Sequence, residues 1–352
     1  MIITKDAEQV FLRGFDLKIA IVVDQPRSSI LNNEEGFQED QQSHRMMGYI
    51  KEALSSDYEV ICLTMDSSLI NRLHEEKVDL VFNLCNGIRG EASLSQLPAI
   101  LEYEGIPYTG SSTIPHGLAY NKIFSGKIFK ASDIPTPEFI YISSLEELEG
   151  VKLDFPILVK PKDEGSSRGI QNDSLTFDLP SLKHKVVENL MKFNPPMILS
   201  EYIEGREYTA GILGNGSDLE VLPILEVDFS ALPEGMNRIY SFEAKFAFDE
   251  SIIYHLPARV DKKTYEMISD TAVRAFRSLG MRDYARVDMR VKGDKAYVIE
   301  INSLPGLDKY NSDIIKMAKA IGMDYDDLIK LIVNIARKRL NLLEDNKIGI
   351  IE

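Results

Sequence analysis

The chain has 352 residues, 44% hydrophobic and 27% charged, with 55 acidic against 40 basic side chains and a formal net charge of −15. That length allows two or three domain-sized cores, and the acidic excess excludes a general nucleic-acid or anionic-membrane binder, which needs surplus Lys and Arg to track phosphates. The 2 cysteines, Cys62 and Cys85, are too few for a disulfide framework and read as small buried residues, and the longest apolar runs are strand-length; a reducing, cytoplasmic setting without membrane spans is expected.

Lys18-Ile-Ala-Ile-Val-Val-Asp24 reads as a buried first strand, and the polar stretch 25–43 as loop chemistry. A helix over 40–55, a strand over 58–65 and a buried strand over 79–85 follow, the last running into Asn86-Gly-Ile-Arg-Gly90. Strand alternating with helix is the rhythm of a parallel α/β layer. A helix over 117–132 is stopped by Ile134-Pro-Thr-Pro137, since proline cannot continue a helix. Strands then dominate up to Asn302, predicted over 155–160, 197–202, 208–213, 219–229, 284–291 and 295–302, with one helix, 263–279, among them. A closing helix over 325–340 carries Leu328, Leu331, Ile332 and Ile335 at helical spacing, and the last dozen residues are expected to fray.

The most informative segment is the pair of strands Tyr284-Ala-Arg-Val-Asp-Met-Arg-Val291 and Lys295-Ala-Tyr-Val-Ile-Glu-Ile-Asn302. Side chains alternate along a strand, so Arg286 and Asp288 share one face, and Glu300 and Asn302 share one face. If Asp288 lies opposite Glu300 and Arg286 opposite Asn302, all four project into one patch. A two-residue loop at Gly293-Asp294 would put the carboxylates on opposite faces, so the register needs an odd-length loop or a bulge, and an odd loop is predicted. Two carboxylates and an amide oxygen are hard ligands suited to magnesium bridging phosphates, and Arg286 beside them would steady a phosphoryl group in transfer. A charged strand face is commonly just solvated; here Ile299 and Ile301 flank Glu300, and the rigid turn Ser303-Leu-Pro-Gly306 follows directly.

Two weaker segments precede it. Phe155-Pro-Ile-Leu-Val-Lys160-Pro-Lys162 presents a lysine at a strand end, then Gly165-Ser166-Ser167-Arg168-Gly169, a loop able to fold its N–H groups over phosphates. It lacks the P-loop spacing, and no Gly-x-Gly-x-x-Gly is present. Glu201-Tyr-Ile-Glu-Gly-Arg-Glu207 joins two strands and places Glu207 to accept hydrogen bonds from hydroxyls.

In that order the segments resemble the ATP-grasp superfamily and, within it, the D-alanine–D-alanine ligases, over roughly three quarters of the chain. The resemblance includes Val81-Phe-Asn, Gly105-Ile-Pro-Tyr-Thr-Gly-Ser111, Asn121-Lys122, Glu243-Ala-Lys245-Phe246 and Glu300-Ile-Asn-Ser-Leu-Pro-Gly306. It implies an α+β ATP-grasp fold with an N-terminal α/β (pre-ATP-grasp) domain over 1–116, a central subdomain over 117–212 and a C-terminal subdomain over 213–352. It further implies ATP and two Mg2+ ions, with Mn2+ as a substitute, amino-acid or carboxylic-acid substrates, and a homodimer. Lys122 and Lys160 are then the phosphate-holding lysines, and Gly165, Ser166 and Ser167 the loop closing over them. Glu201 and Ile203 offer backbone groups to adenine, and Glu207 holds the ribose. Asp288, Glu300 and Asn302 ligate the metal, Arg286 stabilises the phosphoryl and tetrahedral species, and Lys245 lies in the mobile loop over the reacting centre. The implied reaction is ADP-forming amide synthesis through an acyl phosphate. A ligase of the same mechanism for another amino acid or specialised acid, and a non-catalytic nucleotide binder, are the alternatives.

The N-terminal part departs from that pattern. The family's substrate-binding glutamate is absent after the first strand; Glu34, Glu35, Glu39 and Asp40 are nearby, with Glu39 the candidate substitute. After Gly306 the chain reads Leu307-Asp-Lys-Tyr-Asn-Ser312, making Asn311 and Ser312 candidates for an acceptor carboxylate that Asp308 is expected to repel. Phe246 stands where many family members carry tyrosine, and Arg168 adds charge to the phosphate loop.

Overall fold

The computed structural model describes residues 17–29, 34–87, 89–165, 167–193 and 195–342, arranged as helices around three sheets. Ser166 and, of the last dozen residues expected to fray, all but Asn341 and Leu342 lie outside that set. Among the described residues no helix is long and apolar enough to cross a membrane.

The first sheet is parallel, with β1 (Lys18–Val23) between β2 (Glu59–Thr64) and β3 (Leu80–Asn83). β1 is apolar almost without interruption because helices cover both faces of such a layer. The helices here are α1 (Glu34–Leu54), α2 (Leu69–Glu75) and α3 (Gln96–Glu104). α1 begins earlier than its polar, glycine-containing sequence suggests, and Asp40, expected at its start, instead lies within it and accepts the N–H groups of Arg27 and Ser28.

The single helix predicted over 117–132 is two, α4 (Thr113–Tyr120) and α5 (Lys122–Ala131). Asn121 breaks it with an extended backbone (φ −91°, ψ 100°), and its side chain caps α5 by accepting the N–H groups of Ile123 and Phe124. Lys122 therefore opens a helix rather than lying inside one.

The second sheet is antiparallel, ordered β4 (Phe139–Ile142), β7 (Met197–Glu201), β5 (Ile157–Pro161), β6 (Leu175–Thr176). A helix that the sequence pattern does not reveal, α6 (Leu179–Lys192), packs on it. Its inward stripe includes Leu182, Lys185, Val186 and Asn189, so two polar residues interrupt the apolar period. Lys185 tolerates burial because Gln171, Asp173 and Glu188 accept its ammonium protons.

The third sheet comprises β8 (Arg206–Asn215), β9 (Asp218–Val221), β10 (Leu225–Asp228), β11 (Ile253–His255), β12 (Asp283–Lys292) and β13 (Lys295–Asn302). Its path is β11-β10-β8-β12-β13, with β9 on the far end of β8. The strand expected over 219–229 is thus β9 and β10, separated around Pro223, which has no N–H to give a ladder. β8 runs through residue 212, so the expected boundary at 212/213 falls inside a strand. The remaining helices are α7 (Phe242–Phe246), α8 (Lys262–Ser278), α9 (Asp313–Lys319) and α10 (Tyr325–Arg339).

One buried carboxylate ties the first layer to the last sheet. Asp283, fully buried, accepts Arg339 Nε and Nη2 at 2.8 Å each, Asn215 Nδ2 at 2.9 Å and the Gly110 N–H at 2.8 Å. Arg339 Nη2 also donates to the Tyr108 carbonyl at 2.8 Å. Arg339→Met leaves that charge buried without its cation, and urea unfolding is expected to show a loss of about 3–5 kcal/mol.

Candidate active site

The register of β12 against β13 assembles the site. Arg286 pairs with Asn302 and Asp288 with Glu300, as expected, but the loop is not odd: Lys292 pairs with Lys295 across the two residues Gly293-Asp294. Gly293 supplies a positive φ of 62° at the first loop position. The register is corrected further along, where it shifts between Asp288 and Met289 and Ile299 becomes the extra residue of a bulge. Without the bulge Asp288 would oppose Ile299, and Glu300 would point to the other face.

Arg286 grips Asp288 with two hydrogen bonds, Nε to Oδ1 at 2.9 Å and Nη2 to Oδ2 at 2.8 Å. Thr209 Oγ1, from β8, and Asn302 Nδ2 donate to the same carboxylate at 2.5 and 2.9 Å. Burial opposes ionisation of Asp288, but the guanidinium and these donors outweigh it and hold the carboxyl below its ordinary range. Burial likewise works against the Arg286 charge; Asp288, Asp313 and Glu300 more than offset it. Asp288, Glu300 and Asn302 converge as drawn from the sequence. Among the described residues no three His, Cys, Asp or Glu side chains form a metal cluster. The donor set is two carboxylates and an amide, which suits a hard cation that arrives with phosphate oxygens rather than one caged by protein alone.

Across from this patch lie the lysines. Lys122 Nζ is 3.4 Å from Glu300 Oε2 and donates to the Glu164 carbonyl at 2.7 Å. Lys160 is buried at 7% exposure, and its ammonium has no hydrogen-bond or ion-pair partner among the described residues. Burial, then the neighbouring Lys122 charge, lower its pKa to about 8 against the pull of Glu300 and Glu207. Both lysines line a small pocket between the sheets with Phe139, Ile198, Ser200 and the bulged Ile299. Glu207 is pushed up to about 7 by burial, with Arg290 opposing and Asp288 and Glu300 adding to the rise. A buried lysine with no direct ion pair among the described residues, beside a glutamate whose ionisation is opposed by burial, leaves room for an incoming anion.

The loop over the lysines is tied down on several sides. Ser167, with φ 62°, donates its hydroxyl to the Tyr240 carbonyl at 2.7 Å. Arg168 hydrogen-bonds Glu39 on α1, which also lies 3.6 Å from Arg27. Glu39 is therefore engaged with two arginines. Gly165 has open space around it. Lys162 Nζ lies 3.2 Å from Glu91 Oε1.

Glu201, expected to meet adenine, uses its N–H on the Glu138 carbonyl and its carboxylate on the Glu138 N–H. Ile203 lies in the link 202–205, which Arg290 braces by donating to the Gly205 and Arg238 carbonyls and stacking on Tyr202, 4.7 Å from the ring centroid. Gly205 permits that link: a Cβ there would meet the Val291 carbonyl oxygen at 1.9 Å. Arg290 shares the strand face of Arg286 and Asp288, so alternation alone could have added it to the site.

Asp308, expected to face a ligand carboxylate, is engaged inside its own loop instead: it is 1% exposed, 3.1 Å from Arg45 Nη2, and accepts the N–H groups of Tyr310 and Asn311. Ser312 Oγ accepts the Asp308 N–H at 2.8 Å and stands 3.2 Å from where a Gly306 Cβ would be, so it closes the loop. Asn311 is exposed. Lys245, half-buried on α7, has its pKa lowered by burial and then by Arg286. Sequence reasoning missed Asp313, whose Oδ2 is 3.4 Å from Arg286 Nη1. It also missed the Tyr240–Tyr254 hydroxyl pair at 2.7 Å.

Residues 128–334 match the family model described as "D-ala D-ala ligase C-terminus". The chain is 33% identical over 294 residues to the D-alanine–D-alanine ligase of Carboxydothermus hydrogenoformans, covering 80% of this chain and 88% of that protein. It is 36% identical over 262 residues to an uncharacterised protein of Sinorhizobium fredii, covering 74% of this chain and 75% of that one. Its fold resembles the crystal structure of D-alanine–D-alanine ligase from Bacillus anthracis with a TM-score of 0.72 at 26% identity, covering 93% of this chain and 100% of the other.

Lys160 loses its charge above about 8, whereas a bound polyphosphate would keep it protonated to higher pH. Apparent ATP affinity, measured by isothermal titration, is therefore expected to weaken as pH rises from 8 toward 10, by up to about tenfold per unit. In Lys160→Arg that fall is expected to disappear, since arginine does not titrate there.

Proposed function

The chain belongs to the D-alanine–D-alanine ligase family, and from that membership we propose a residue-by-residue account of how it makes an amide. It is an ATP-dependent, ADP-forming ligase of the D-alanine–D-alanine type, acting on small molecules. The observation that carries the account is the convergence of Asp288, Glu300 and Asn302 beside Arg286, facing two lysines of which one has no protein anion of its own.

A free carboxylate resists attack because its charge repels nucleophiles and oxide cannot leave. Transfer of the γ-phosphoryl of ATP to one carboxylate oxygen gives an acyl phosphate and ADP. The acceptor amine then attacks the acyl carbon, the C–O bond to phosphate breaks, and amide and phosphate result. Lys122 and Lys160 hold the phosphates, Gly165–Ser167 covers them, and Glu207 takes the ribose hydroxyls. Adenine lies against the 201–203 backbone. Asp288, Glu300 and Asn302 would hold magnesium, which supplies charge neutralisation to the phosphates. Arg286 faces the charge that grows on the transferred phosphoryl and on the tetrahedral oxygen, in a site sheltered from water where such a charge counts most. Lys245 closes the other side. The dimer and the cytoplasmic setting are extended from the family.

The second reading, the same mechanism with a different amino acid or specialised acid, is favoured by the altered segments after the first strand and after Gly306.

Phosphate release from ATP, magnesium and D-alanine is the direct test. Release that needs an amino acid is expected; release without one, or none across an amino-acid panel, would sink the ligase account. Arg286→Met should lower kcat by about a hundredfold to a thousandfold.

A further inference from the structure

Asp313 and Lys316 stand three residues apart on α9, and so on one face of the helix. Ile314, Ile315, Met317 and Ala318 pack into the core, which fixes where the two charges stand. Asp313 Oδ1 lies 3.3 Å from Lys316 Nζ, and Asp313 Oδ2 lies 3.4 Å from Arg286 Nη1. The Lys316 ammonium sits over the Tyr254 ring, 4.7 Å from its centroid. Tyr254 meets Tyr240 hydroxyl to hydroxyl, and the Tyr240 carbonyl receives Ser167 of the phosphate loop. The Asp313–Lys316 pair thus lies between the arginine that faces the reacting group and an aromatic wall joined to the loop over the phosphates. Side-chain exposures of 19% and 35% leave both within reach of a small molecule.

On a helix surface such a pair adds little. In this place it has a cost: the Asp313 carboxylate draws on the positive charge of Arg286, which the transferred phosphoryl and the tetrahedral oxygen need. A zwitterion reverses that cost. Its ammonium replaces Lys316 and Arg286 as partner of Asp313, and its carboxylate replaces Asp313 as partner of Lys316. The side-chain pair opens, two ion pairs take its place, and the Nη1 edge of Arg286 is freed. An amine without a carboxylate would leave Lys316 unpaired, and an acid without an ammonium would leave Asp313 unpaired.

We propose that Asp313 and Lys316 are the acceptor-recognition pair of this ligase, selecting a zwitterionic amino acid: Asp313 holds the ammonium and takes its proton, and Lys316 holds the carboxylate. The inference rests on the ligase reading above. The ammonium gives one proton to the Asp313 carboxylate, and the freed nitrogen lone pair forms the C–N bond to the acyl carbon. The C–O bond to phosphate then breaks with its electron pair on phosphate, which takes the second nitrogen proton. Asp313 returns its own proton to solvent.

The test uses the full chain with ATP, magnesium and D-alanine as donor. Hydroxylamine traps the acyl phosphate as a hydroxamate, which reads activation separately from amide formation. D-alanine and D-alaninamide are compared as acceptors. Wild-type enzyme is expected to show a KM at least about tenfold lower for D-alanine than for D-alaninamide, and Lys316→Met to abolish that preference by raising the D-alanine value. Asp313→Asn is expected to lower kcat for amide formation at least about thirtyfold more than it lowers hydroxamate formation, with Asp313→Glu recovering part of the loss. Variants that keep wild-type acceptor kinetics, or that lose hydroxamate and amide in equal measure, overturn the pair while leaving the ligase reading intact. Wild-type enzyme that traps no hydroxamate with any member of an amino-acid panel as donor overturns that reading, and the pair with it.

Discussion

Side chains on a strand alternate, and the two acidic groups of this site can face each other only because β13 carries one residue more than its partner. The bulged Ile299 turns Glu300 onto the face of Asp288, and its own side chain lines the pocket between the sheets. Asp288 is then fixed by donors from both neighbouring strands and from its own, Thr209 on β8, Asn302 on β13 and Arg286 on β12. Moving any of these strands by one residue would disperse the group. Because the patch is largely out of water, each interaction in it acts more strongly than it would on a surface.

The same desolvation sets the electrical character of the cleft. Lys160 is buried without an anion and Glu207 is buried among other carboxylates, so both are held in the less charged direction from their usual behaviour. Such a balance suits a polyanion, which restores the lysine's full charge when it enters. The loop over the lysines leans on the N-terminal part of the chain through Arg168 and Glu39, and on the segment before α7 through Ser167. The position of this loop is therefore set by both flanks of the site rather than by the loop alone.

Residue type by itself misleads where a side chain has internal work. Asp308 looks hostile to an anionic ligand, yet Arg45 and two backbone N–H groups neutralise it inside the loop. Glu39 looks available for an ammonium, yet it faces two arginines. Asp313 and Lys316 look like an ordinary helical ion pair until Arg286 and Tyr254 are seen around them.

Local pattern in the chain carried a great deal: the buried parallel strand at Lys18–Val23, the alternation that puts Arg286 and Asp288 on one face, the paired motifs around Lys160 and Glu300, and the family itself. These are legible because each depends on neighbours within a few residues, through side-chain alternation, helical spacing or a short motif. The helix break at Asn121 and the bulge at Ile299 were not, since capping and register are settled by competition between backbone hydrogen-bond partners rather than by side-chain period. α6 was hidden by Lys185 and Asn189, whose burial makes sense only beside Gln171, Asp173 and the Gly169 carbonyl, brought to them by the segment before the helix. Which carboxylates are engaged inside the fold was decided by tertiary structure alone, because that depends on partners brought from distant segments: Arg45 to Asp308, Arg339 to Asp283, Arg168 to Glu39.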